Sequence, residues 1–217
     1  MIVSPDLRLE KRLWRSGLEN IAGMDEAGRG ALAGPVTVGA VILPNVPRLS
    51  STLRQAQGGA LSGVRDSKQM TPLARDRAVV RIREVARAWS LGWASADEID
   101  AFGITAATRL AAERALAALP LLPDHLLTDF RLNPDTDIPL TSLVKGDQKS
   151  LTIASASVLA KTARDALMCE LDEQFPGYGF VRHKGYGTAF HREAIERLGH
   201  SPIHRKTFAF HNPEGME

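Results

Sequence analysis

Residues 23–36 read GMDEAGRGALAGPV. Asp25 and Glu26 are adjacent acids that repel each other, and glycines at 28 and 30 weaken any helix or strand that holds Arg29 between them. Ahead of the acids, residues 21–25 read as a short strand. Behind them, VTVGAVIL (36–43) is β-rich and bounded by Pro35 and Pro44, as expected of a buried strand paired with the first. A polar turn between two strands accounts for such a stretch. So does a carboxylate site with a glycine-flanked arginine beside it, and the remaining sequence has to choose.

Outward from this pair, residues 5–17 read as an amphipathic helix with Leu7, Leu9, Leu13 and Trp14 on its apolar side. Residues 44–64, with prolines, serines and Gly58-Gly59, read as a long mobile loop. Thr71-Pro72 opens a helix that runs to about residue 88. WSLGWAS (89–95) follows as a strand, Ser95 or Asp97 caps a short turn, and a helix covers roughly 104–118. HLLTD (125–129) and PLTSLV (139–144) are further strands, the second leading into Lys145-Gly146-Asp147. A long helix spans about 150–174 with Ile153, Ala156, Leu159, Ala163 and Leu167 at core-facing spacing. Gly177-Tyr178-Gly179 breaks it, and a last helix covers 188–198, closed by Gly199. There are no repeats. Strands followed by alternating strands and helices, then helices alone, describe an α/β core with a helical C-terminal appendage.

With 217 residues, 44% of them hydrophobic, the chain can bury a substantial core. The single cysteine, Cys169, excludes an internal disulfide framework and fits a reducing cytoplasm. The charged N-terminus has no signal-peptide core, and no apolar run approaches the ~18 residues of a membrane span. Net charge is only +2, yet residues 182–206 hold six Lys/Arg against two acids, together with four of the six histidines. Such a face suits a polyanion, or is an ordinary solvated surface. His183, His191, His204 and His211 fit no zinc-module spacing and read as residues of that basic face.

Three segments end on acids: Asp25-Glu26, Asp129, and Asp147 just beyond the last strand. In open α/β sheets chemistry gathers at strand ends, and converging carboxylates call for a hard divalent cation. Neighbours on a strand point to opposite faces, so Asp25 and Glu26 can share a metal if the chain leaves the strand there, which Gly28 makes easy. Asp66 and Asp165 compete for the same role, and spacing does not separate them.

The sequence resembles the ribonuclease HII family, the bacterial type 2 ribonucleases H, from about residue 21 to 210. The resemblance rests on DEAGRG (25–30) with AGPV (33–36), DSK (66–68), KGD (145–147), ASASVLAKTARD (154–165), HKGYGT (183–188) and IHRKTF (203–208). It implies an α/β fold with a ribonuclease H-like mixed β-sheet flanked by helices. The expected organisation is a single catalytic domain over 1–217, with residues ~175–217 as a helical substrate-binding appendage. It implies hydrolysis of RNA within RNA–DNA hybrids, and cleavage 5′ of single ribonucleotides embedded in duplex DNA, leaving 3′-hydroxyl and 5′-phosphate ends. Two divalent ions, Mg²⁺ or Mn²⁺, are implied on Asp25, Glu26, Asp129 and Asp147. The family has Asp-Gly at the third element where this chain has Asp129-Phe130.

Substrate contacts are implied at Gly28, Arg29 and Gly30, whose turn reads the 2′-OH, and at Lys68, Lys184 and Tyr186. Lys161 and Arg164 could instead pair with Asp165. A monomeric, cytoplasmic enzyme is expected, and the FAFHNPEGME tail offers no clear motif for a replication clamp. The sister ribonuclease HIII family adds an N-terminal domain, for which the twenty residues before the first strand leave no room. GRGALAGP lacks the Lys-Ser/Thr of a P-loop. A non-catalytic binder would need the basic face but not the acids.

Overall fold

The structure is a computed structural model that describes residues 4–45, 61–130 and 132–208. Five strands, β1 (Ile21–Ala27), β2 (Val36–Ile42), β3 (Ala88–Ala94), β4 (His125–Asp129) and β5 (Leu140–Leu143), lie in the order β3-β2-β1-β4-β5. β1, β2 and β3 pair antiparallel, whereas β4 runs parallel to β1 and β5 parallel to β4. The described helices are α1 (Arg8–Arg15), α2 (Pro72–Val85), α3 (Ala96–Ala117), α4 (Leu151–Gln174), α5 (Phe180–His183) and α6 (Ala189–Leu198). This is the mixed sheet with flanking helices that the sequence implies. No described helix is long and apolar enough to cross a membrane.

The sheet register assigns the faces. Asp25 pairs with Gly39 and Gly39 with Leu91, so these three share one face. A Cβ on Gly39 would run into the carbonyl of Ala156, because α4 packs there. Glu26 pairs with Val38 and Val38 with Gly92, on the opposite face, where α3 approaches Gly92 as closely. Val36, Val38, Ala40 and Ile42 bury against Ala107, Ala111, Ala112 and Ala115 of α3. Val41 buries against Ala154, Ala156 and Val158 of α4 and Val79 and Ile82 of α2. Small residues on both helices let them sit directly on the sheet.

Helix starts follow their caps. Thr71 Oγ1 accepts from Ala74 N (3.3 Å), and Ser95 with Glu98 forms a reciprocal capping box. α3 therefore begins eight residues before the expected position, and Gly103 (φ 78°) bends it where the sequence pattern starts a new helix. Trp14 of α1 packs with Ile21, Leu127 and Ile153 as its apolar stripe implies. Glu10 of the same helix is also buried, accepting from Ser150 Oγ (2.6 Å) and Thr152 N (3.2 Å) at the start of α4.

Two expectations need correction. The chain does not leave the sheet at the acid pair: β1 continues through Ala27, and the departure comes at Gly28, with φ 89°. On α4, Ile153, Ala156 and Leu159 face inward, but Arg164 and Met168 then take the buried positions in place of Ala163 and Leu167. Beyond residue 160 the helix has passed the sheet and packs on residues 33–35 and the C-terminal segment instead. Most of the 44–64 loop, His211 and most of the tail lie outside the described residues.

Candidate active site

Asp25 projects from β1 toward α4, is 6% exposed, and accepts bonds from Ser157 and from Glu26 N (2.8 Å). Glu26 faces the other way, as alternation requires, but lies past the last β1–β4 pair, Met24 with Thr128. With no strand on that side, its carboxylate reaches the charge of Asp129. Asp129 ends β4, and its Oδ1 accepts from Gly146 N at 2.7 Å, tying it to the turn that carries Asp147. Lys145 enters that turn with φ 54°. Lys145 and Lys184 are the non-glycine residues with positive φ among those described, and both line this region.

Electrostatics binds the four acids into one group. Burial, then Glu26, Asp129 and Asp147, push Asp25 well above the usual carboxylate range. Burial raises Glu26 as well, against Arg29, with Asp129 adding to the rise. Asp147 is pushed up to about 6 by burial, Asp66 and Asp129. Among the described residues no three acidic, histidine or cysteine side chains are drawn into a closed ligand cluster. The donor set still fits a hard cation: it is all carboxylate oxygen, mutually repelling, and Glu26 Oε2 is buried without a hydrogen-bond partner.

The competing acids are separated by their partners. Asp66 lines the same cleft, but its oxygens accept from Lys68 N (2.9 Å) and Gln69 Nε2 (3.2 Å). Asp165 bonds Arg75 (3.0 Å) and Lys161 (2.6 Å), holding α2 to α4. Lys161 thus takes the ion-pair alternative.

A cleft of about 480 Å³ contains Glu26, Asp129, Asp147, Lys68 and Arg29, with exposed Phe130 and Val144 on its rim. A groove of about 580 Å³ adjoins it, sharing Glu26, Arg29 and Lys68 and continuing past Gly28 and Gly30 to Lys184 and Tyr186. Every expected substrate residue therefore lines one continuous surface. Tyr186 is half-buried, its ring centre 5.4 Å from Lys161 Nζ and 5.5 Å from the Arg164 guanidinium. Lys184 Nζ bonds Val181 O (2.7 Å) and Cys169 Sγ (2.9 Å) at the groove wall.

Beneath this surface lies a layer the sequence reading misplaces. Arg164 does not pair with Asp165; it is fully buried and donates to Pro35 O, Lys184 O and Ala33 O at 2.8–2.9 Å. Arg205, read as part of a basic face, is 1% exposed and donates to Gly28 O (2.7 Å), Arg29 O (2.9 Å) and Gly34 O (3.0 Å). Burial, with Arg164 adding to it, lowers its pKa to about 9. A Cβ on Gly28 would strike the Arg164 guanidinium, whereas Gly30 faces open space.

His191 and His204 are likewise not surface charges. They are buried and joined Nε2 to Nε2 at 3.1 Å; Tyr186 O and Ser201 engage their outer nitrogens. Burial and neighbouring imidazoles lower each to about 4, so both are neutral at pH 7. The motifs ASASVLAKTARD and IHRKTF marked Arg164, His204 and Arg205 without revealing their burial.

The family model described as Ribonuclease HII matches residues 22–211. The chain is 52% identical over 203 residues to Ribonuclease HII of Thermus thermophilus, covering 93% of this chain and 91% of that one. It is 47% identical over 207 residues to Ribonuclease HII of Dehalococcoides mccartyi, covering 95% and 94%. The ribonuclease H2 structure from Pyrococcus horikoshii OT3 matches with TM-score 0.67 at 24% identity, over 87% of this chain and 93% of that one. Bst-RNase HIII in complex with Mn²⁺ matches with TM-score 0.61 at 18% identity, over 88% and 67%. At these identities the two structures speak for the fold.

Proposed function

The chain belongs to the ribonuclease HII family, an endoribonuclease acting on RNA–DNA hybrids, and on that premise we propose that it also cuts 5′ of a single ribonucleotide embedded in duplex DNA. The observation that carries this reading is the shared wall of cleft and groove: Glu26, Arg29 and Lys68 line both. A group that reads a sugar in the groove therefore sits within one nucleotide of the carboxylates.

Asp25, Glu26, Asp129 and Asp147 would hold two divalent cations, Mg²⁺ or Mn²⁺. Such ions, when bound, make water nucleophilic near neutral pH and stabilise the leaving oxygen. Lys68, whose positive charge acts on Glu26 and Asp147, receives the phosphate. Backbone groups of the Gly28-Arg29-Gly30 turn bond the 2′-OH, the group that distinguishes RNA from DNA. Gly30 leaves the approach clear, and Arg205 fixes the turn by holding its carbonyls. Tyr186 lies against the sugar on the 3′ side, and Lys184 neighbours it on the groove wall, so the segment from about residue 175 serves substrate binding.

At an embedded ribonucleotide, the oxygen on the 3′ side of the preceding sugar belongs to a deoxynucleotide. That sugar has no 2′-OH to attack the phosphorus, so an external water must. The P–O3′ bond breaks, and the products carry a 3′-hydroxyl and a 5′-phosphate. The test is to incubate duplex DNA containing one ribonucleotide with and without Mg²⁺ and to map the cut. A single Mg²⁺-dependent cut 5′ of the ribonucleotide is expected. Equal cutting of an all-DNA duplex, or a cut on the 3′ side, overturns the reading.

A further inference from the structure

Arg29 is the hinge between three spaces. On one side its guanidinium borders the cleft and the groove; on the other it closes a separate cavity of about 340 Å³ with Thr105, Arg109 and Asn133. The break at Gly103 creates that cavity's wall. It starts a new helical segment at Ile104, which sets Thr105 and Arg109 one turn apart on the same face. That segment packs on the sheet face opposite α4, so the cavity lies across Arg29 from Tyr186.

The lining is made for an anion. It consists of two guanidiniums, a hydroxyl and a carboxamide, with no carboxylate among them. Arg29 Nη2 donates to Thr105 Oγ1 at 3.2 Å, which fixes the guanidinium plane. Its Nη1 is buried and has no hydrogen-bond partner. An unmet charged donor costs more than a neutral one, and a bound oxyanion relieves that cost through charge-assisted bonds.

We propose that this cavity is a second phosphate site, taking a non-scissile backbone phosphate of the bound duplex between Arg29 and Arg109, with Asn133 as a further donor. The proposal rests on the reading above, which brings a duplex to the cleft next door. A polynucleotide carries a phosphate at every nucleotide, so a strand lying in the cleft presents the next one to a neighbouring basic cavity. The site orients the strand from the α3 side, as Tyr186 does from the α4 side.

The test measures equilibrium binding of the single-ribonucleotide duplex, with Mg²⁺, across a KCl series. Every protein carries Asp25→Asn so that the substrate stays intact. Losing one phosphate contact lowers the slope of log K against log [salt] by about 0.9. Arg109→Ala is therefore expected to reduce the slope by roughly one, which shrinks the affinity change between 50 and 200 mM salt by about threefold. Arg109→Lys retains the charge and recovers the slope. Arg87→Ala, at the opposite end of the sheet beside Ile42, changes nothing. An unchanged slope in a folded Arg109→Ala protein overturns the proposal, as does an equal loss in Arg87→Ala. Failure of the unmutated chain to cut the ribonucleotide duplex would instead strike the reading of its function, and the slope is read independently of that.

Discussion

The carboxylate end of β1 and β4 and the layer under residues 28–35 are built from the same material, buried charge, on opposite terms. The arginines of the lower layer are satisfied: Arg164 and Arg205 each donate to three backbone carbonyls, and His191 and His204 are neutral and paired. The acids above are not. Asp25, Glu26 and Asp147 all lie above their usual pKa, and Glu26 Oε2 has no partner. The lower layer gives rigidity; the upper one stores unmet electrostatic demand for a ligand. Substitutions in the two should therefore separate stability from activity.

The largest loss of stability is expected from Arg164→Met. It strands three carbonyls, at ~1–3 kcal/mol for each buried unsatisfied group, for a loss of at least about 3 kcal/mol in urea unfolding. A midpoint within error of the parent would show that water takes over these bonds. Asp25→Asn is expected to do the reverse. Hydrolysis of RNA–DNA hybrid at saturating Mg²⁺ falls at least about a hundredfold, ~3 kcal/mol, while thermal stability holds or rises because a repelled buried acid has gone. Near-normal turnover removes Asp25 from the centre of the chemistry.

Acid tests the neutral histidines. With a folded pKa of about 4 against 6.5 when unfolded, only the unfolded chain takes up their protons between those values. Their contribution is complete above pH 6.5 and is lost as pH falls toward 4. A shift of this size is worth roughly 3 kcal/mol at one imidazole, and less than twice that for the coupled pair. His191→Gln, melted across the same range, should flatten that part of the curve.

Tyr186→Ala is expected to lose tenfold to a hundredfold on a single embedded ribonucleotide, less on long hybrid, and Tyr186→Phe less on both. Equal losses on both substrates would return the ring to a general binding or folding role. The smallest effects divide the glycines. Gly28→Ala meets both a positive φ and the Arg164 guanidinium, and should cost ~1–3 kcal/mol of stability. Gly30→Ala should stay within about 0.5 kcal/mol, so any selectivity it loses between ribonucleotide and all-DNA duplex belongs to recognition.

What was legible follows from what is local. Thr71-Pro72 and the glycine closing α6 report backbone preferences, and the elements begin and end where these place them. That Asp25, Glu26, Asp129 and Asp147 lie together was legible because strand ends converge by topology, but Asp66 and Asp165 are set apart from them only by partners that spacing does not show. Arg205 and His204 were not legible. Their burial depends on acceptors more than a hundred residues away or on another helix, and a Lys/Arg count cannot distinguish a solvated guanidinium from one that donates to three backbone carbonyls. Gly28 and Gly30 look equivalent in sequence, and differ because Gly28 alone has a positive φ and alone lies against Arg164.

The bond from Arg205 to the carbonyl of Gly28 spans 177 residues of chain. During synthesis at ~5–20 residues per second, the Gly28-Arg29-Gly30 turn emerges roughly ten to thirty-five seconds before the side chain that clasps it. β1 and β2 can pair early, but the turn between them stays unclasped until translation has passed Arg205. A nascent chain that has not yet reached residue 205 thus carries Asp25 and Glu26 beside a turn whose carbonyls are not yet held.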